Sequence, residues 1–107
     1  MSLDVSLMIT KPCEVFCANV THNLGKMANK AGIYHACWHP EDIGAKQAKD
    51  IIPVLEIGLA DMKARPEYYR QFDPPNGWGT YNDFVPWVRR YLDACKEYPE
   101  AVIEVSR

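Results

Sequence analysis

The chain has 107 residues, 48% of them apolar and 24% charged, the balance of one folded domain and too little for a catalytic domain joined to a separate binding domain. Twelve basic residues against fourteen acidic ones leave a net charge of −2, and only Arg89 and Arg90 are adjacent cations, which argues against nucleic acid as a partner. No apolar run reaches membrane-spanning length and Met1-Ser2-Leu3-Asp4 does not open a secretory leader, so a cytoplasmic protein with four free cysteines is expected.

Leu3, Val5, Leu7 and Ile9 alternate with Asp4, Ser6, Met8 and Thr10, the period-two pattern of a strand with one buried face. After a reversal at Lys11-Pro12-Cys13, the β-forming run Glu14 to Val20 returns as the second arm of a hairpin. Thr21 and Asn23 are both good N-caps, and Leu24, Met27, Ala28 and Ala31 follow at helical spacing until Gly32. A further helical turn is expected over Tyr34 to Trp38, redirected at His39-Pro40.

Ile51, Ile52, Leu55, Leu59 and Met62 mark a helix to about Arg65, the longest element expected, with Asp50 as N-cap and Pro53 in the first turn; the alternative is a kinked helix from near Gly44. Prolines bracket a short aromatic helix at Glu67 to Phe72. Phe84, Val85, Val88, Leu92 and Cys95 then define a last helix, with Asn82 as cap and Pro86 in its first turn. Beyond Pro99, Ala101, Ile103 and Val105 alternate as a final strand. This order predicts an α+β fold over residues 1–107: a small three-stranded, mainly antiparallel sheet, formed by the N-terminal hairpin plus the C-terminal strand, packed against about three helices.

Two places carry candidate chemistry. Asn76-Gly77-Trp78-Gly79-Thr80-Tyr81 places two large aromatics between glycines, either as an exposed surface for stacking or as a turn in which Trp78 covers the core. Thr21-His22-Asn23 lies at a strand-to-helix junction, where His22 can serve as a base, donor or ligand, or where Thr21 and Asn23 simply cap. The candidate binding surface is therefore Thr21, His22, Asn23, Asn76, Trp78 and Tyr81.

A zinc set drawn from Cys13, Cys17, His35, Cys37 and His39 lacks the paired spacing of structural sites. Cys95 falls on an apolar helix face, where a thiol is core, and Glu41-Asp42 reads as a helix-start pair. No catalytic residue, metal or cofactor is assigned.

The segments Thr21-His22-Asn23-Leu24-Gly25-Lys26-Met27-Ala28 and Asn76-Gly77-Trp78-Gly79-Thr80-Tyr81, with the tail from Tyr91 through Cys95 to Arg107, resemble a family of short uncharacterised proteins of phage and prophage genomes. The resemblance covers nearly the whole chain and implies a phage-related accessory protein in the bacterial cytoplasm. It carries no reaction, substrate or catalytic residue, and its pattern does not feature a cysteine quartet. A non-enzymatic binding module for a protein partner or for self-association is the expectation. The alternative is a small nucleotide- or phosphate-ligand protein or enzyme using His22, with Asn23 and Tyr81 orienting the ligand.

Overall fold

The computed structural model describes residues 2–10 and 13–107, and the side chains of Thr10 and Cys13 are outside that description. Strands β1 (Ser2–Thr10) and β2 (Cys13–Thr21) form the antiparallel hairpin, and β3 (Val102–Ser106) pairs antiparallel with the other edge of β1, giving the order β2-β1-β3. Of the expected reversal Lys11-Pro12-Cys13, Lys11 and Pro12 lie outside the described residues and Cys13 already belongs to β2. Among the described residues five α-helices connect the sheet: α1 (Gly25–Lys30), α2 (Tyr34–Trp38), α3 (Ile52–Ala64), α4 (Pro66–Arg70) and α5 (Tyr81–Glu97). The fold is α+β as expected, with more helices than the three anticipated because several are only five or six residues long.

Alternation decides which face of the sheet is buried. Leu3, Val5 and Leu7 are fully buried and pair with Val20, Ala18 and Phe16 on one side, while Val105 and Ile103 face Val5 and Leu7 on the other. Helix α5 packs on this layer through Tyr81, Phe84, Trp87, Val88, Tyr91, Leu92 and Cys95, recurring at three- and four-residue steps. The Tyr91 ring stacks on Phe16, with centroids 5.8 Å apart. Each large apolar side chain sealed in this way is worth about 1.5–3 kcal/mol. The opposite face carries Ser2, Asp4 and Ser6 of β1 beside Thr21, Asn19 and Cys17 of β2. Among the described residues no helix is long and apolar enough to cross a membrane.

Helix starts differ from expectation where distant groups intervene. Asp50 does not cap α3; its carboxylate accepts from the backbone N–H groups of Gln47 and Lys46, both at 3.0 Å, closing the 3-10 turn Ala48–Asp50, and those bonds hold its carboxyl below the usual range. Helix α3 follows from Ile52 with Pro53 in its first turn, as expected, and no kinked helix extends back to Gly44. The longest helix is α5, with 17 residues against 13 in α3. It begins at Tyr81, earlier than the expected Asn82 cap, and Pro86 consequently sits inside the helix. That shift follows from Tyr81, whose N–H donates to Asp73 Oδ1 at 2.7 Å and whose hydroxyl donates to the Met62 carbonyl at 2.7 Å. The first turn forms around these anchors, and Pro86 then leaves the Asn82 carbonyl without its helical donor.

Candidate functional site

At the end of β2 the chain turns directly into a short 3-10 helix, His22–Leu24. Thr21 stays extended and its hydroxyl accepts from the Asn23 N–H at 3.3 Å, so the expected cap is Thr21. Leu24 is buried, which anchors the turn and leaves His22 and Asn23 at its outer side. His22 is held from below by α2: the indole N–H of buried Trp38 donates to His22 Nδ1 at 2.7 Å. With Nδ1 accepting, the neutral ring carries its proton on Nε2. That N–H has no protein acceptor among the described residues.

The loop between α4 and α5 is built to meet this junction. The Gly77 N–H bonds back to the Pro74 carbonyl at 3.1 Å, and Asn76 Oδ1 accepts from the Trp78 N–H at 3.0 Å, the self-bonded turn that Asn favours. Asn23 Nδ2 reaches across to the Trp78 carbonyl at 3.3 Å. Gly79, at φ +84°, lies so close to the junction that a β-carbon there would overlap the Thr21 methyl and press on Leu24. The loop backbone can approach this far only because position 79 has no side chain.

Trp78 is thereby held out in solvent, 70% exposed, beside the junction. Together the two segments line a cleft of about 560 Å³, to which the sheet contributes Ser2 and Asn19, the junction Thr21, His22 and Asn23, and the loop Asn76 and Trp78. Five of the six candidate residues meet here. Tyr81 does not: it is buried, with 7% exposure, and its hydroxyl is spent on Met62, so it is a core residue that starts α5 and not part of an exposed surface. Ser2 and Asn19 were not singled out from the sequence, although hairpin pairing supplies the signal, since the register places Ser2 opposite Thr21 and Asn19 opposite Asp4.

None of the seven lining side chains is a carboxylate, a thiol, a lysine or an arginine. Asn19 Nδ2 is committed to Ser2 Oγ at 2.9 Å and Asp4 Oδ1 at 2.6 Å, leaving its carbonyl oxygen as acceptor; Asn23 likewise keeps its oxygen and Asn76 its amide nitrogen. The cleft thus offers a flat indole face, neutral donors and neutral acceptors. His22 is oriented by a tryptophan N–H, which cannot take a proton, so the arrangement has no relay of the kind that activates a nucleophile. A second hollow of about 390 Å³ adjoins through Asn19 and Thr21 and is lined further by Gly79, Asp83, Trp87 and Arg90.

Among the described residues the mixed cysteine and histidine set does not come together; the Cys13 side chain lies outside them. Cys37 is buried and its thiol is pushed far up by that burial, whereas Cys17 is exposed on the outer sheet face. Cys95 is core as expected, its thiol raised to about 12 by burial. Glu41 and Asp42 do open a helical turn, the 3-10 segment Pro40–Ile43. No family model, no curated protein and no solved structure matches the chain, which leaves the chemistry of the cleft as the ground for a functional reading.

Proposed function

We propose that the protein is a non-enzymatic binding module, a phage-related accessory protein of the bacterial cytoplasm, that takes an uncharged segment of a host or phage protein into the cleft between the Thr21-His22-Asn23 junction and Trp78. The observation that carries this reading is the exposed Trp78 side chain with its backbone fixed on both sides by Asn76 and Asn23. Leaving an indole in water forgoes on the order of 3 kcal/mol of burial. Tryptophan is among the residues that dominate protein interfaces, and a backbone fixed beforehand lowers the entropy cost of capture. The neutral lining suits peptide amides and a flat apolar group such as a proline ring stacked on the indole. It disfavours the nucleotide or phosphate alternative, because no lysine or arginine lines the cleft to meet the charge.

The test is selection of peptides from a random displayed library against the folded protein, followed by affinity measurement on Trp78→Ala. Selected peptides are expected to lose at least about thirtyfold in affinity, the scale of an interface hot spot. Peptides that bind Trp78→Ala as tightly would overturn the reading. So would saturable nucleotide or sugar-phosphate binding, seen as a thermal shift that His22→Ala abolishes; that result would install the ligand-binding alternative. Concentration-dependent dimerisation lost in Trp78→Ala would identify a second copy as the occupant in place of a different protein.

A further inference from the structure

On the surface formed by α2 and the turn that follows it, two imidazoles and two carboxylates converge outside the cleft. His35 and His39 are four residues apart, so they fall on one side of α2 and its C-terminal end. Pro40 then redirects the chain so that Glu41 and Asp42, in the first turn of Pro40–Ile43, come back beside them. His39 Nδ1 is 3.3 Å from Glu41 Oε2, and His35 Nε2 is 3.9 Å from Asp42 Oδ2. The ligand atoms of His39, Glu41 and Asp42 all lie within 4.8 Å of one another.

Those separations are close to what a metal requires. Four nitrogen and oxygen ligands at about 2.0–2.1 Å from a tetrahedral centre stand about 3.4 Å apart, so the His39–Glu41 pair already has that spacing, the remaining separations of the His39, Glu41 and Asp42 set, up to 4.8 Å, must shorten on binding, and His35 stands outside that set beside Asp42 alone. The geometry points to a surface site for a divalent first-row transition ion of the zinc or nickel type, with His39, Glu41 and Asp42 as ligands and the fourth position filled by water or by a side-chain movement of the exposed His35. Imidazole selects these ions over magnesium and calcium, which prefer all-oxygen shells.

The surrounding charges fit. Arg107 Nη1 lies 3.2 Å from Glu41 Oε2 and donates to the Trp38 carbonyl at 2.7 Å. A carboxylate offers about four lone-pair sites, enough for guanidinium and metal together. Arg107 then orients the ligand as outer-shell partners do. Two carboxylates against one arginine leave the cluster with net negative charge when the imidazoles are neutral.

The experiment uses tag-free full-length protein carrying Cys13→Ser and Cys17→Ser, so that no hairpin thiolate competes, stripped with chelator and titrated with zinc, nickel and cobalt chlorides by calorimetry. One ion per chain is expected, with no saturable heat from magnesium chloride. His39→Ala and Asp42→Asn should each weaken binding at least about tenfold, and the cobalt d–d bands of a nitrogen–oxygen shell should vanish in His39→Ala. Asp42 is exposed, so Asp42→Asn decides the matter even if His39→Ala proves unstable. Absence of saturable binding by all three transition ions, or binding unchanged in stoichiometry and affinity by either variant, overturns the proposal.

Discussion

The Trp38 indole N–H donates to His22 Nδ1 at 2.7 Å, tying the interior of α2 to the floor of the candidate cleft. Trp38 is buried and stacks on Tyr34 with ring centroids 5.3 Å apart, so the donor cannot swing away. Trp38→Phe should therefore free the His22 ring to sample both tautomers, visible in its ring-nitrogen chemical shifts. His22→Ala strands a part-buried indole N–H and should cost about 1–3 kcal/mol in chemical denaturation. Ring-nitrogen shifts in Trp38→Phe that still report a single Nε2–H tautomer would show that the bond does not set it.

Gly77 and Gly79 have similar positive φ, +74° and +84°, but different surroundings. A β-carbon at 77 meets open space, whereas one at 79 overlaps Thr21 and presses on Leu24. Gly77→Ala should cost only the backbone strain, about 1–2 kcal/mol. Gly79→Ala should cost more than that and also displace the loop, reducing any ligand affinity that depends on Trp78. Equal losses at the two positions would mean that the close approach to Thr21 is unimportant.

Trp78 and Tyr81 should separate cleanly in melts. Trp78→Ala removes an exposed side chain and should change stability by no more than about 0.5 kcal/mol. Tyr81→Phe leaves the Met62 carbonyl without this donor in the core and should cost about 1–3 kcal/mol. The exposed indole should also be readily quenched by acrylamide, and that quenchable emission should disappear in Trp78→Phe. A large stability loss in Trp78→Ala would instead return Trp78 to the core.

Asp61 links α3 to α4. Its carboxylate accepts two bonds from Arg65, at 3.0 and 2.6 Å, and one from the Tyr69 hydroxyl. These bonds, Arg65 first and Tyr69 second, hold its carboxyl below the usual range. Burial, and then Asp61 itself, raise Tyr69 to about 12, so the phenol remains a donor at neutral pH. A pKa lower in the folded chain than in the unfolded one, about 3.9, stabilises the fold above the unfolded value. That contribution disappears as pH falls through the folded pKa. Asp61→Asn should melt below the wild type at neutral pH, and the gap should narrow in acid, below about pH 4. A gap independent of pH would assign the loss to packing.

Local periodicity already contained much of the architecture. The alternation of Leu3, Val5 and Leu7, the return of Glu14 to Val20 and the spacing of Phe84, Val88, Leu92 and Cys95 each report which side of an element is buried, because water exclusion acts on every residue of that side. The strand–strand–helices–strand order then leaves few ways to cover one sheet face. The cleft was only partly legible. Thr21-His22-Asn23 and the Trp78 loop stood out by composition, but their meeting depends on Gly79 lying against Thr21 and on Asn23 bonding the Trp78 carbonyl, contacts between residues more than fifty positions apart.

The sorting of Trp78 outward and Tyr81 inward, and with it the start of α5 and the place of Pro86, was likewise decided at a distance. Two aromatics three residues apart in one loop have the same local preference for burial. What separates them is a carbonyl at Met62 and a carboxylate at Asp73, held where Tyr81 alone can reach both. Sequence by itself determined which faces must be covered, since that follows from spacing along one element; which aromatic covers them and which remains free was settled only by hydrogen-bond partners that tertiary packing brings within reach.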